Sequence, residues 1–265
     1  MNTDTASPIL PDPARFGDLR AVVVNTTLKR SPELSNTQGL LDRAVALLQA
    51  NGVEVDIIRL VDHDVAPGVQ PDMREQGWPD DAWPDLWPRI HAADILIVGS
   101  PIWLGEQSSV TRRLIERLYA HSSELEENGL SVFHGTVGGA LVTGNEDGVK
   151  HVASSITYSL QHLGVTVPPT ADAGWIGPVG PGPSYLDEGS GGPQTDFTNQ
   201  GTTFMVYNLL HLARLLKDAG GFPVGGNQPG AWSEGERFGF DDSPTPNQPS
   251  ADAREAQQTT NPEHD

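Results

Sequence analysis

Cysteine is absent from the 265 residues. That excludes a disulfide framework, a thiol nucleophile, a cysteine-ligated zinc site and any iron–sulfur cluster. Basic residues are scarce: 16 Lys and Arg stand against 35 Asp and Glu, a formal charge of −19. Such a surplus argues against a nucleic-acid or anionic-membrane partner, because phosphates are repelled at long range. No apolar run approaches the roughly 18 residues that span a bilayer, so no membrane insertion is expected. The N-terminal MNTDTASPILPDPARFGD has no basic segment followed by an apolar one. No signal peptide is read there, and a soluble, cytoplasmic protein is expected. Several motifs are missing too. There is no HExxH, no GxxxxGK[ST], no GxGxxG after the first strand and no G-x-S-x-G elbow, and the histidines are scattered. Zinc-protease, nucleoside-triphosphate, ordinary dinucleotide and α/β-hydrolase readings all weaken, and no metal is expected.

What remains suits one domain with tails. Residues 1–19, with Pro8, Pro11 and Pro13, read as an extended arm. Residues 225–265 are rich in Pro, Gly and acids. Such a tail buries too little apolar surface to offset the entropy of ordering, so it is expected to be largely disordered, with Trp232, Phe238 and Phe240 as candidate docking residues. Between them, in 20–224, strand-like and helix-like periods alternate. Leu19–Val24, Val53–Ile58, Ile95–Val98, Thr136–Val142 and Val165–Val167 read as strands. Asn36–Gln49, Val110–Tyr119, Val149–Leu163 and Thr202–Lys217 read as helices. This β-α-β order predicts an α/β three-layer sandwich with a five-stranded parallel sheet. Five strands favour the flavodoxin-like order 2-1-3-4-5, with ligands at the carboxyl ends of strands 1, 3 and 4.

The chemistry therefore sits in three loops. After strand 1 come Thr27 and Lys29, then Ser35, Asn36 and Thr37 opening a helix, a hydroxyl-rich turn that can hold a phosphate or simply cap the helix. After strand 3 comes Gly99-Ser100-Pro101-Ile102-Trp103-Leu104-Gly105. Pro101 keeps its predecessor extended, and Trp103 offers a flat apolar face or plugs the sheet edge. After strand 4 come Thr143, Gly144, Asn145, Glu146, Asp147 and Gly148, readable as a ligand loop or as a turn with a cap. Their conjunction at one crevice is sharper than any one of them.

On those residues, the chain resembles the NAD(P)H-dependent FMN reductase and quinone reductase branch of the flavodoxin-like superfamily, over roughly 20–219. SPIWLGEQSSVTRRLIERL at 100–118 is similar to the family's small-Pro-aromatic-x-x-Gly loop and following helix. VTGNEDG at 142–148 is similar to the loop beside the flavin ring, and TTLK…SNT at 26–37 to the phosphate loop, here interrupted by Arg30–Leu34. The resemblance implies FMN, with Thr27, Lys29, Ser35, Asn36 and Thr37 on its phosphate. It implies Pro101, Ile102, Trp103, Leu104 and Gly105 along the isoalloxazine, and Thr143 to Gly148 closing the other edge. It further implies NADH or NADPH as co-substrate, hydride passing through flavin N5 to a quinone or similar small molecule, and a homodimer or homotetramer. Asn145 is the candidate catalytic side chain, donating near the reduced ring.

Two other classes stay open: a flavodoxin-like electron carrier, and a flavodoxin-fold binding protein without flavin. The long segments 61–88 and 170–200 disfavour a carrier, which needs an exposed flavin edge. Segment 61–88, with Trp78, Trp83 and Trp87 each before a proline, reads as a rim over the crevice, an intersubunit contact or a loop packed on its own domain. Three Trp-Pro steps are not expected to share one regular helix. Trp175 and Tyr185 either cover the flavin or fill space. Residues 1–19, 61–85 and 226–265 together carry −14 of the −19. The remaining −5 leaves a core in which neutral donors can bind an anion.

Overall fold

Residues with a period of two build the centre of the sheet. In β1 (Arg20–Asn25), Ala21 and Val23 join one core cluster while Val22 and Val24 join another. Successive strand side chains point to opposite faces. β3 (Ile95–Trp103) repeats the split, with Ile95 and Ile97 on one side and Leu96 and Val98 on the other. Both strands are covered on both faces, which is why they read as unbroken apolar runs. β2 (Glu54–Arg59), β5 (Val137–Gly144) and β6 (Asp172–Ile176) complete a parallel sheet of order β2-β1-β3-β5-β6. The two-residue β4 (Glu106–Gln107) pairs antiparallel with the end of β3. Setting β4 aside, this is the expected flavodoxin-like order 2-1-3-4-5.

The protein is described by a computed structural model covering residues 10–180, 182–241 and 243. Helices α1 (Asn36–Ala50) and α5 (Asp196–Asp218) pack on one face of the sheet, and α2 (Trp83–His91), α3 (Ser109–Tyr119) and α4 (Val149–Leu163) on the other. Ser35 caps α1 by accepting from the Gln38 amide, and Gly52, with φ of 80°, follows its C-cap Asn51. Among the described residues no helix is long and apolar enough to cross a membrane.

Three expectations change in detail. The fifth strand is Asp172–Ile176, not Val165–Val167; Thr166 makes only a single bridge to Val137. Pro168 and Pro169 lack the N–H groups that a ladder needs. The Trp-Pro segment does contain a helix, α2, which holds two of the three Trp-Pro steps. Pro84 lies in its first turn, where the N–H would be unpaired anyway, and Pro88 removes one intrahelical bond. Residues 13–16 of the expected arm form a 3-10 turn that buries Phe16 edge-on to His211, centroids 5.7 Å apart. Residues 1–9 lie outside the described residues.

Residues 224–265 form a separate unit. Within it α6 (Pro229–Ser233) carries Trp232, whose ring lies under Arg237 at 4.7 Å and 5.8 Å from Phe240. The rest of the expected tail, residue 242 and residues 244–265, lies outside the described residues.

Candidate functional site

A parallel sheet brings the carboxyl ends of β1, β3 and β5 to one edge, so the three loops converge by topology alone. Buried Asn25 shapes the first of them. Its amide donates to Gln38 Oε1 at 2.9 Å and Ser35 Oγ at 3.3 Å, and its carbonyl oxygen accepts from the Thr27 amide at 3.0 Å. The inserted Arg30–Leu34 is folded away toward β2. Arg59 donates to the carbonyls of Lys29 and Glu33, each at 2.8 Å, and the Ser31 amide donates to Asp62 at 2.8 Å. Lys29 stays at the crevice with its Nζ 3.6 Å from Glu33 Oε1.

Behind the second loop lies a fully buried hydroxyl cluster. Ser108 Oγ donates to the Thr26 carbonyl and Thr111 Oγ1 to Ser100 Oγ, both at 2.7 Å, while Thr26 Oγ1 contacts the Gly99 carbonyl and Thr111. These bonds tie the ends of β1 and β3 to the first turn of α3, and a satisfied buried network of this kind is rigid. The chain then turns tightly from β3 into β4, with positive φ at Leu104 (53°) and Gly105 (78°). Two such residues in a row make the turn that matches strand twist. Glu146 Oε1 accepts from the Leu104 amide at 2.9 Å, which steadies the strained position. Gly148 (φ 133°) is needed where the third loop meets this turn, because a Cβ there would lie 2.8 Å from the Gly105 carbonyl. His151 bonds Glu106 at 2.9 Å on the outer side.

Together the loops enclose a crevice of about 510 Å³, within the range of small-molecule and cofactor pockets. Of the residues predicted from sequence, Thr27, Lys29, Asn36, Thr37, Pro101, Ile102, Trp103, Thr143, Gly144, Asn145 and Glu146 line it. Thr37 and Thr143 hydroxyls bond across it at 2.9 Å, joining α1 to β5. Ser35 does not line the crevice; it is consumed as the cap of α1. Leu104, Gly105, Asp147 and Gly148 shape the rim without lining it, and Asp147 accepts from the Gly148 amide at 2.8 Å.

Asn145 lines the crevice and also reaches the segment after β6. Its amide donates to the Pro183 carbonyl at 2.9 Å, and its oxygen accepts from Ser184 Oγ at 2.9 Å. Both bonds go to the Gly/Pro segment after β6. That segment supplies lining that sequence reasoning missed, Val179, Gly180 and Ser184, and Leu28 is a further missed lining residue; Trp175 and Tyr185, singled out from the sequence, line it too. Trp175 and Tyr185 are both buried and meet edge-on at 5.6 Å, so they fill space and wall the crevice at once. Burial raises the Tyr185 hydroxyl's pKa, with the nearby Arg43 charge in partial opposition. The unusual length of 170–200 was the one available signal for this wall.

The lining combines polar donors that suit a phosphate with apolar side chains that suit a flat ring. Thr27, Lys29, Asn36 and Thr37 line the crevice at the N-terminus of α1, where the helix dipole favours an anion. Exposed Trp103 lines it as well, from the end of β3. Among the described residues no group of three or more His, Asp or Glu is placed to hold a metal ion.

The NADPH-dependent FMN reductase family model matches residues 20–175. The chain is 55% identical over 245 residues to the divalent metal cation transporter MntH of Mycobacterium bovis, covering 92% of this chain and 35% of that protein. It thus spans about a third of that relative's length. It is 40% identical over 205 residues to the 8-demethyl-8-aminoriboflavin-5'-phosphate synthase of Streptomyces davaonensis, covering 76% of this chain and 79% of the relative. The solved structure of RosB with the bound intermediate 8-demethyl-8-formylriboflavin-5'-phosphate superposes with a TM-score of 0.74 at 37% identity. That match covers 86% of this chain and 90% of the other.

Proposed function

The chain belongs to the NADPH-dependent FMN reductase family, and from that premise we propose that the crevice holds FMN and serves an NAD(P)H-dependent oxidoreduction of a quinone or similar small acceptor. The observation that carries this reading is the mixed lining of the crevice. Neutral donors, one lysine and a helix N-terminus line it together with the apolar Pro101, Ile102 and Trp103. When bound, FMN supplies the hydride chemistry through its N5. The protein's part is binding and orientation. Thr27, Lys29, Asn36 and Thr37 bind the phosphate, Pro101 to Trp103 line the ring, and Thr143 to Glu146 bound its other edge. The buried hydroxyl cluster of Thr26, Ser100, Ser108 and Thr111 holds the strand ends rigid beneath them. Purified protein is expected to be yellow or to quench FMN fluorescence on titration, and to consume NADH or NADPH with a quinone present. Colourless protein that leaves FMN fluorescence unchanged rejects the reading. Turnover without a separate reductase rejects an electron carrier.

A second reading is favoured by the 40% and 37% identities to proteins named for work on the flavin itself. In it the riboflavin phosphate is substrate, altered at the 8-methyl position, and the same phosphate site holds it. Mass spectrometry of flavin recovered after incubation separates the two. An unchanged FMN mass with nicotinamide oxidation supports the first, and a new flavin mass supports the second.

A further inference from the structure

Residues 177–180 leave the end of β6, and residues 182–187 return to the crevice and to α1. Pro178 and Pro183 have no N–H, so beyond Gly177 the segment is poorly supplied with donors for a continued ladder. Its carbonyls must find donors elsewhere, and side chains on both halves of the site act as its pins. At the ring half, Asn145 Nδ2 donates to the Pro183 carbonyl at 2.9 Å and Asn145 Oδ1 accepts from Ser184 Oγ at 2.9 Å. At the phosphate half, Asn36 Oδ1 accepts from the Leu186 amide at 2.8 Å. Gly177 donates to the Gly144 carbonyl at 2.8 Å, and a Cβ at Gly177 would lie 2.5 Å from Asn145 Nδ2, so the approach allows no side chain. Between the pins Val179, Gly180, Ser184 and Tyr185 line the crevice.

We propose that Asn145 is a positioning residue that clamps residues 182–186 as the outer wall of the crevice, and that this wall sets how long FMN remains bound. The proposal rests on the reading that FMN occupies the crevice. An amide is the group required, because position 145 must donate to one backbone carbonyl and accept from one hydroxyl at the same time. An ionised carboxylate of the same shape accepts only.

The test compares wild type, Asn145→Ala, Asn145→Asp and Ser184→Ala in the full chain. FMN dissociation is followed by the return of flavin fluorescence on dilution, and chymotryptic cleavage after Tyr185 is followed without flavin. Asn145→Ala is expected to release FMN about tenfold faster or more, since two part-buried bonds are lost. Ser184→Ala, which loses one, is expected to fall between it and wild type. Asn145→Asp is expected to match Asn145→Ala at about pH 8 and to approach wild type toward about pH 4.5, each compared with wild type at the same pH. There the carboxyl, its proton held by the facing carbonyls, donates to Pro183 again. A purely structural loss would not recover with acid. FMN release unchanged by Asn145→Ala, or no acid recovery in Asn145→Asp, overturns the proposal. If wild type binds no FMN, the functional reading and the role of the wall in flavin retention both fall. Faster cleavage after Tyr185 in Asn145→Ala then still supports the clamp, and equal cleavage overturns that as well.

Discussion

Residues 61–88 and residues 182–187 are both proline-containing connections outside the strands, each with a buried aromatic side chain, yet they are held by opposite chemistry. The first is organised by charge. Asp81 accepts from the amides of Ala66, Met73 and Trp83 at 2.9 to 3.2 Å and pairs with Arg117 of α3 at 2.7 Å, with neither side chain exposed. Trp83, Trp87 and His121 stack against it, Trp87 and His121 at 3.8 Å. The second is held by the neutral amides of Asn145 and Asn36 at the mouth of the crevice. Charge buried without water does not let go cheaply, because either partner alone is costly. Amide clamps at a solvent edge release groups that water can satisfy. The first connection is therefore a brace for the α2–α3 face, and the second a wall that can yield.

The largest expected effect breaks the brace. Asp81→Ala strands the Arg117 guanidinium, whose Nε and Nη1 already have no hydrogen-bond partner, and leaves three amides unpaired. Burial disfavours the Arg117 charge, and Asp81 and then Asp72 offset it. The loss is expected to be about 3–5 kcal/mol of unfolding free energy, read from urea denaturation. That is a large share of the roughly 5–15 kcal/mol of a native domain. FMN affinity of the folded fraction should stay within about twofold. Asn145→Ala should invert the pattern, costing only about 1 kcal/mol of stability while speeding flavin release.

A pH series sharpens the contrast at intermediate size. His121 Nε2 accepts from Trp83 Nε1 at 2.9 Å, and Nδ1 lies 2.7 Å from Glu124 Oε1, an arrangement that suits the neutral ring with its proton on Nδ1. Burial lowers the His121 pKa, with Glu124 opposing and the Arg117 and His91 charges reinforcing the shift. The unfolded chain therefore takes up the proton more readily than the folded one. The stabilisation is full above the unfolded value of about 6.5 and is lost as pH falls through the lower folded value. The urea midpoint should drop between about pH 7.5 and about pH 5.5, and drop less in His121→Gln. Part of the fall will persist through His134, whose pKa burial also lowers. A midpoint that rises on acidification would contradict the assignment.

Which of these features could be read from the sequence follows from how far away their partners lie. β1 and β3 announce themselves because strands covered on both faces are continuous apolar runs, and a parallel sheet then places the ends of β1, β3 and β5 together. Thr27, Pro101 and Thr143 could be assigned to one crevice with no knowledge of side-chain geometry. β6 was hidden because Asp172–Ile176 (DAGWI) contains Gly174, whose Cβ would lie 2.6 Å from Val149, whereas nearby Val165–Val167 looks more strand-like. The wall was hidden for a different reason. Asn145 looks like a loop asparagine until Ser184, 39 residues on, meets it. Asn36 bonds Leu186 at a separation of 150. Arg117 reads as one charge on an amphipathic helix, and only the fold brings Asp81 to it.

The smallest expected effect tests whether the two connections are separate at all. Trp78 belongs to the Trp-Pro segment, is exposed, and shares a hollow of about 310 Å³ with Arg30. Arg30 follows Lys29 of the crevice directly and pairs with Asp64 at 2.9 Å. The loop from Lys29 to Glu33, held by Arg59, stands between that hollow and the phosphate end of the crevice. If segment 61–88 only braces its own face, Trp78→Ala removes an exposed ring that no buried group depends on. Stability should then change by no more than about 0.5 kcal/mol, as for ordinary surface substitutions. FMN affinity should move by less than about twofold, since distant sites act independently. A weakening of FMN binding several times larger would mean that the brace reaches the phosphate loop through Arg30. The distinction between brace and wall would then give way to a single coupled rim.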